Sequence, residues 1–193
     1  MPVRRSIKET DGVYFITITC ARWLPLFNLT PGYDIVYNWF DNLKLNGHYI
    51  IGYVIMPDHL HAIIAFRNSG KSINTIVGNG KRFMAYELVK RLKKGNHQST
   101  LDQMRQWVNK TDKERYKIHE VFEPSFDWKN CYGPLFLEQK LNYIHYNPCK
   151  TLPALALHPW DYLHSSATYY ITGEQGIYEV LNLMQLHEIN LSK

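Results

Sequence analysis

No apolar run in the 193-residue chain approaches the ~20 residues that span a bilayer, so a membrane span is not expected. Cysteine is scarce: Cys20, Cys131 and Cys149 lie far apart, and none forms a C-x-x-C pair. That excludes a zinc ribbon or a dithiol redox motif, and an odd count argues against a disulfide framework. A reducing compartment is the simplest home. There is no H-E-x-x-H pattern, no internal repeat and no low-complexity tract. The opening "MPVRRSIKETDGVYF" is charged but has no apolar segment behind the charges, so no secretory leader is expected and the location is expected to be cytoplasmic. Charge of one sign is not abundant either. The net +5, from 22 basic and 17 acidic residues, permits a polyanionic partner without demanding one.

What is there suffices for one domain over residues 1–193 with a sizeable core. "GVYFITITCARW" (12–23) alternates and is rich in β-branched and aromatic residues, which predicts a strand. "TPGYDIVYNWFDNLKLNG" (30–47) predicts a helix capped by Thr30, with Pro31 at its first position and Gly47 at its end. "HYIIGYVIM" (48–56) and "HLHAIIAF" (59–66) predict a hairpin turned by Pro57-Asp58. Residues 72–95 predict a helix with a weak point at Gly78-Asn79-Gly80. The polar stretch 96–117 reads as a flexible insertion or a short helix, and 118–128 as an edge strand, since Pro124 forbids a central one. Residues 133–148 predict a helix with Leu137, Leu141 and Ile144 as its apolar stripe, and 149–193 form an aromatic-rich extension. The order strand, helix, hairpin, helix, strand, helix predicts an α+β fold with helices mainly on one face of a central antiparallel sheet.

Within "MPDHLHAIIAF", His59 and His61 flank Leu60. Side chains alternate along a strand, so the two imidazoles share a face with Cα atoms ~6.5 Å apart, while Leu60 and Ala62 face the other way, into the core. The bland alternative is two surface histidines on a half-exposed strand. Two imidazoles are too few for structural zinc. With one oxygen ligand from elsewhere and open positions, they suit a divalent ion that engages phosphate, Mg²⁺ or Mn²⁺. On the 133–148 helix, Tyr143 and Asn147 fall one turn apart on one flank, with Lys140 and Gln139 near it and Tyr146 on a different side.

"GYVIMPDHLHAII" followed some eighty residues later by "KLNYIHYNP" resembles the HUH single-tyrosine transposases, specifically their REP-associated tyrosine transposase branch. "YFITITCARWLPLF" and "DYLHSSATYY" are similar to that family as well, so the resemblance covers about residues 12–170. It implies a ferredoxin-like (RRM-like) sandwich, His59 and His61 as metal ligands, Tyr143 as nucleophile and Asn147 as the third ligand. The implied activity is cleavage and rejoining of single-stranded DNA through a 5′-phosphotyrosine, at palindromic repeats that fold as hairpins. The partner is then single-stranded or hairpin DNA, no small-molecule substrate is expected, and the protein is expected to act as a monomer, with a dimer as the alternative. The chain departs from the family after the tyrosine, where "NPCKTLPALAL" lacks a glycine turn, and in the middle, where it reads "VFEPSFDW".

This chemistry needs neutral imidazoles, so activity is expected to fall below about pH 6. Phosphate contacts are expected from Lys81, Arg82, Lys90 and Arg91 on the 72–95 helix, and from Lys140 and Lys150 beside the tyrosine. The second reading is a domesticated relative that recognises DNA hairpins without cutting them.

Overall fold

The computed structural model describes residues 7–131, 133–186 and 188–192. Residues 1–6, the start of the basic N-terminal stretch read above, lie outside the described residues.

Strands β1 (Gly12–Thr19), β2 (Tyr49–Ile55), β3 (His59–Phe66) and β4 (Asp127–Asn130) form one sheet in the order β2-β3-β1-β4. Every neighbouring pair is antiparallel. Helix α1 (Leu26–Leu29) and helix α2 (Tyr33–Leu45) join β1 to β2, and helix α3 (Ile73–Lys94) follows β3. Strand, helix, strand, strand, helix, strand with this spatial order is the ferredoxin-like arrangement. The α+β expectation therefore holds, and the sheet is open, with α2 and α3 packed on one face.

The two faces have separate cores. On one, Ile16, Ile18, Leu60, Ala62 and Ile64 of the sheet meet Ile35, Trp39 and Phe40 of α2 and Val77, Met84 and Leu88 of α3. On the other, Phe15, Ile51, Val54, Ile63 and Ala65 meet Leu137, Leu141 and Ile144 of helix α6 (Pro134–His145). Each such side chain contributes ~1.5–3 kcal/mol when fully buried. The strand period assigns residues to the two cores, with even positions of β1 and β3 going to one and odd positions to the other.

Several boundaries differ from the sequence expectation. β1 stops at Thr19 because Ala21–Trp23 forms a 3-10 turn in which Arg22 (φ 51°) and Trp23 (φ 59°) are left-handed. Thr30 does not cap α2. It closes α1 by donating to the Leu26 carbonyl, and Gly32 precedes the first turn of α2. The edge strand is four residues, Asp127–Asn130, with only an isolated Cys20–Phe122 bridge before it. Pro124 has no N–H to donate, which interrupts the ladder between the two contacts. α3 runs unbroken through Gly78-Asn79-Gly80, and Gly80 is required there because a Cβ would run into the Trp39 indole. α6 ends at His145, ahead of Pro148, which disfavours helical geometry at Asn147.

The 96–117 stretch is helical in part: α4 (Gln98–Gln106) buries Leu101 and Met104 against the α2–α3 core, and α5 (Lys110–Glu114) follows. The extension after α6 covers the outer edge of β2. Ile55 N donates to the His164 carbonyl, Ser166 N to Tyr53 and Leu181 N to Ile50. A sheet edge that would otherwise expose its N–H and C=O groups is thereby paired.

Candidate active site

His59 opens β3 and His61 follows two residues later, so both fall on the α6 face of the sheet. That face is covered, and His59 is 8% and His61 5% exposed. The surface-pair alternative is thus contradicted. Their ring centroids lie 4.7 Å apart.

The turn that presents them is pinned by the backbone. Cys20 N donates to the Asp58 carbonyl, Phe27 N to Pro57 and Met56 N to the His59 carbonyl. Each imidazole also has its own orienting group. His59 Nδ1 lies 2.6 Å from Asp58 Oδ1, and His61 Nδ1 lies 2.8 Å from Thr17 Oγ1. A carboxylate on Nδ1 fixes the tautomer that leaves Nε2 with its lone pair, the arrangement that metal-binding histidines use. The pair therefore fits a divalent ion through Nε2. No group of three or more His, Cys, Asp or Glu side chains able to hold a metal occurs among the described residues, so a further protein ligand here would be an amide, hydroxyl or carbonyl.

Burial pushes His61 down to about 3, and the neighbouring His59 and Lys140 add to the effect. His61 itself thus stays neutral well below pH 6, and a loss of activity near that pH is not set by this residue.

α6 brings the tyrosine to the histidines. Its stripe of Leu137, Leu141 and Ile144 seats it on the sheet, and it descends closely because residue 52 is glycine. A Cβ there would stand 2.5 Å from Leu141 Cδ2. From this seat the Tyr143 ring meets His61 edge-on at 5.3 Å and Phe15 at 6.0 Å, while the residue stays 44% exposed. Tyr146, the residue that caps α6, is also exposed. Lys140, one turn before Tyr143, holds its Nζ 5.4 Å from the Tyr143 ring centroid, 5.1 Å from Phe15 and 5.3 Å from Phe136. A cation is thus held against the phenol, with the rings of Phe15 and Phe136 on its other sides.

Asn147 opens the 3-10 turn Asn147–Lys150 after α6 and is half-buried. It makes no hydrogen bond to either imidazole among the described residues. Lys150 is exposed at the end of that turn. The α3 cations divide. Lys81 Nζ donates to the Glu123 and Ser125 carbonyls, and Arg91 forms a two-pronged pair with Asp34 and also reaches the Pro31 carbonyl. Both therefore tie the fold together. Arg82 and Lys90 are exposed; Arg82 lies over Phe83, and Lys90 pairs with Glu87.

Sequence reasoning missed Thr17, Asp58, Phe15 and Trp23, whose ring meets His59 at 5.5 Å. Asp58 was legible as a carboxylate next to a candidate histidine. Thr17 and Phe15 become visible only with the β1–β3 register, which pairs Thr17 with His61.

No protein-family model matches the sequence. No curated protein matches it either. Among solved structures, a REP-associated tyrosine transposase bound to a REP hairpin superimposes with a TM-score of 0.64 over 100% of this chain and 98% of that one, at 15% identity. A transposase candidate from Deinococcus radiodurans R1 gives a TM-score of 0.42 over 75% of this chain and 95% of that one, at 14% identity. The chain shares the fold of the first. No helix among the described residues is long and apolar enough to cross a membrane.

Proposed function

We propose that this protein is a single-tyrosine transposase that cleaves and rejoins single-stranded DNA at hairpin-forming repeats. The observation that carries the reading is the Tyr143 ring set against His61, one member of an oriented, buried histidine pair. The shared fold with a hairpin-bound REP-associated transposase supports hairpin DNA as partner.

Tyr143 Oη attacks the scissile phosphorus. The bond from phosphorus to the 3′-oxygen breaks, a 5′-phosphotyrosine forms, and the phenolic proton is lost as the leaving 3′-oxygen gains one. A later attack by a 3′-OH on the adduct reverses the exchange, so bond energy is conserved and no ATP is needed. A neutral phenol is a weak nucleophile. Lys140 places positive charge beside it, where an incoming phosphate adds negative charge. Phe15 and the α6 stripe hold the ring toward the histidines. His59 and His61 through Nε2, with Asn147 as third ligand, would hold Mg²⁺ or Mn²⁺. When bound, that ion supplies charge to the oxygens of the scissile phosphate.

The test is incubation with labelled hairpin DNA from repeats flanking the protein's own gene, with Mn²⁺ or Mg²⁺. Wild type and Tyr146→Phe form an SDS-resistant adduct, whereas Tyr143→Phe and His61→Ala do not. An adduct in Tyr143→Phe would remove the assignment.

A further inference from the structure

The side of α3 turned toward the 115–124 segment carries a second feature that the active site does not use. Between them runs a groove of about 770 Å³. Its lining holds six basic residues against two acidic ones, Glu120 and Glu123. Both acids are engaged inward: Glu120 pairs with Lys117, and Glu123 accepts from the Arg22 N–H. The remaining charge on the walls is positive, from Arg82, Lys90 and Lys93 of α3 and Arg115 opposite.

Aromatic rings interleave with these cations. Tyr86 on α3 is 63% exposed, and Tyr116 on the facing wall is 91% exposed. Tyr116 also sits at φ 63°, a left-handed conformation unfavourable for a bulky side chain, and no burial of the ring offsets it. Between the walls, His119 Nε2 is a buried nitrogen without a hydrogen-bond partner.

The groove leads to the catalytic end of the sheet. Its 121–123 wall is stitched to the end of β1: Ala21 N donates to the Val121 carbonyl, Phe122 bridges Cys20, and Glu123 N donates to Thr19. Thr19 is the register partner of His59. Exposed Trp23 lies against the His59 ring and directly follows Arg22, whose N–H donates to Glu123 of the groove wall.

We infer that the α3/115–124 groove binds the unpaired strand flanking a DNA hairpin and guides it toward the histidine pair. The inference rests on the DNA reading above and adds a surface to it. Phosphates track the four exposed cations and bases stack on Tyr86 and Tyr116, the combination by which single strands are held without sequence reading. A duplex would use the charge and leave the rings idle.

The 193-residue chain is titrated, by fluorescence anisotropy, with a labelled hairpin carrying a single-stranded tail of about 12 nucleotides, and with the same hairpin untailed. Tyr86→Ala/Tyr116→Ala is expected to weaken binding of the tailed hairpin at least about tenfold and to leave the untailed one unchanged. Arg82→Ala/Arg115→Ala is expected to make the logarithmic salt dependence shallower by about 1.4 for the tailed hairpin. All four residues are exposed, and thermal melts check that the variants fold. Wild-type affinity and slope in both variants would overturn the groove. So would a tyrosine variant that weakens both hairpins equally. The adduct itself requires Tyr143 and His61, so wild-type binding and wild-type adduct formation in both groove variants remove this inference alone. A wild type that binds neither hairpin removes both.

Discussion

Replacing Thr17 by Val keeps the shape of the side chain and removes only the hydroxyl that faces His61 Nδ1 at 2.8 Å. Both residues are buried, so water does not readily replace the lost partner. A buried polar atom left unsatisfied costs ~1–3 kcal/mol, and the variant is expected to lose that much unfolding free energy in urea at neutral pH. The second effect is on the metal. With Nδ1 unpaired, His61 is free to place its proton on Nε2, the nitrogen that would face the ion. Loss of such an orienting partner lowers metal affinity by ~10–100-fold. The measurement is calorimetric titration of Mn²⁺ into metal-free wild type, Thr17→Val and Thr17→Ser. Serine keeps the hydroxyl and is expected to recover most of the affinity. Equal Mn²⁺ affinity in wild type and Thr17→Val, with the stability loss present, would refute the orienting role while leaving the packing role. Equal affinity and equal stability would refute both.

Other outcomes follow from the same structure. Gly52→Ala drives a methyl against Leu141 and is expected to cost ~1–3 kcal/mol by overpacking, and to slow adduct formation by lifting α6; Leu141→Ala in the same chain is expected to relieve part of the loss, read by urea melts and adduct gels. Burial holds His145 down to about 4, so its unfolded form binds a proton that its folded form refuses, and stability falls as pH drops from about 6.5 toward 4. Between pH 7.5 and 5 this one group contributes a loss of about 2 kcal/mol, which His145→Gln is expected to remove from the pH dependence of the urea midpoint. Arg91→Met breaks an exposed pair with Asp34 and is expected to cost ~0.2–1 kcal/mol in thermal melts while leaving the salt dependence of DNA binding unchanged, unlike substitution of Arg82.

What the sequence made legible follows a physical line. The alternating, β-branched run 12–23 and the hairpin turned by Pro57-Asp58 identified the strands, and strand geometry alone put His59 and His61 on one face. The apolar stripe of α6 was equally local. The boundaries that moved were those set by hydrogen bonds to distant segments. Thr30 has the look of an N-cap, yet its hydroxyl finds the Leu26 carbonyl first. Asp127–Asn130 is a strand because β1 offers Tyr14–Thr17 as a partner, whereas 118–125 carries the better strand pattern and has mostly no such neighbour. The polar stretch 96–117 hides two apolar contacts, Leu101 and Met104, that decide how it packs.

The site is divided between the sheet and a helix packed on it. The histidines sit on β3, flanked by β1 and β2, and their rings are held by Thr17 and Asp58. Tyr143 rides on a helix held to the sheet by three apolar side chains over Gly52, and the ring itself is half in solvent. A histidine pair on the sheet with the proposed nucleophile on a separate helix suits the proposed reaction, in which the tyrosine first holds a strand covalently and then releases it. The lateral packing that allows this is specific: one glycine sets the depth of α6, and Phe15 sets the lateral position of the ring by touching both His61 and Tyr143. Phe15 is also the strand residue on which Lys140 rests, so one β1 side chain touches Lys140, the proposed nucleophile Tyr143 and the proposed ligand His61 together. This explains why β1, which supplies neither the proposed nucleophile nor a proposed metal ligand, lies at the centre of the site's geometry.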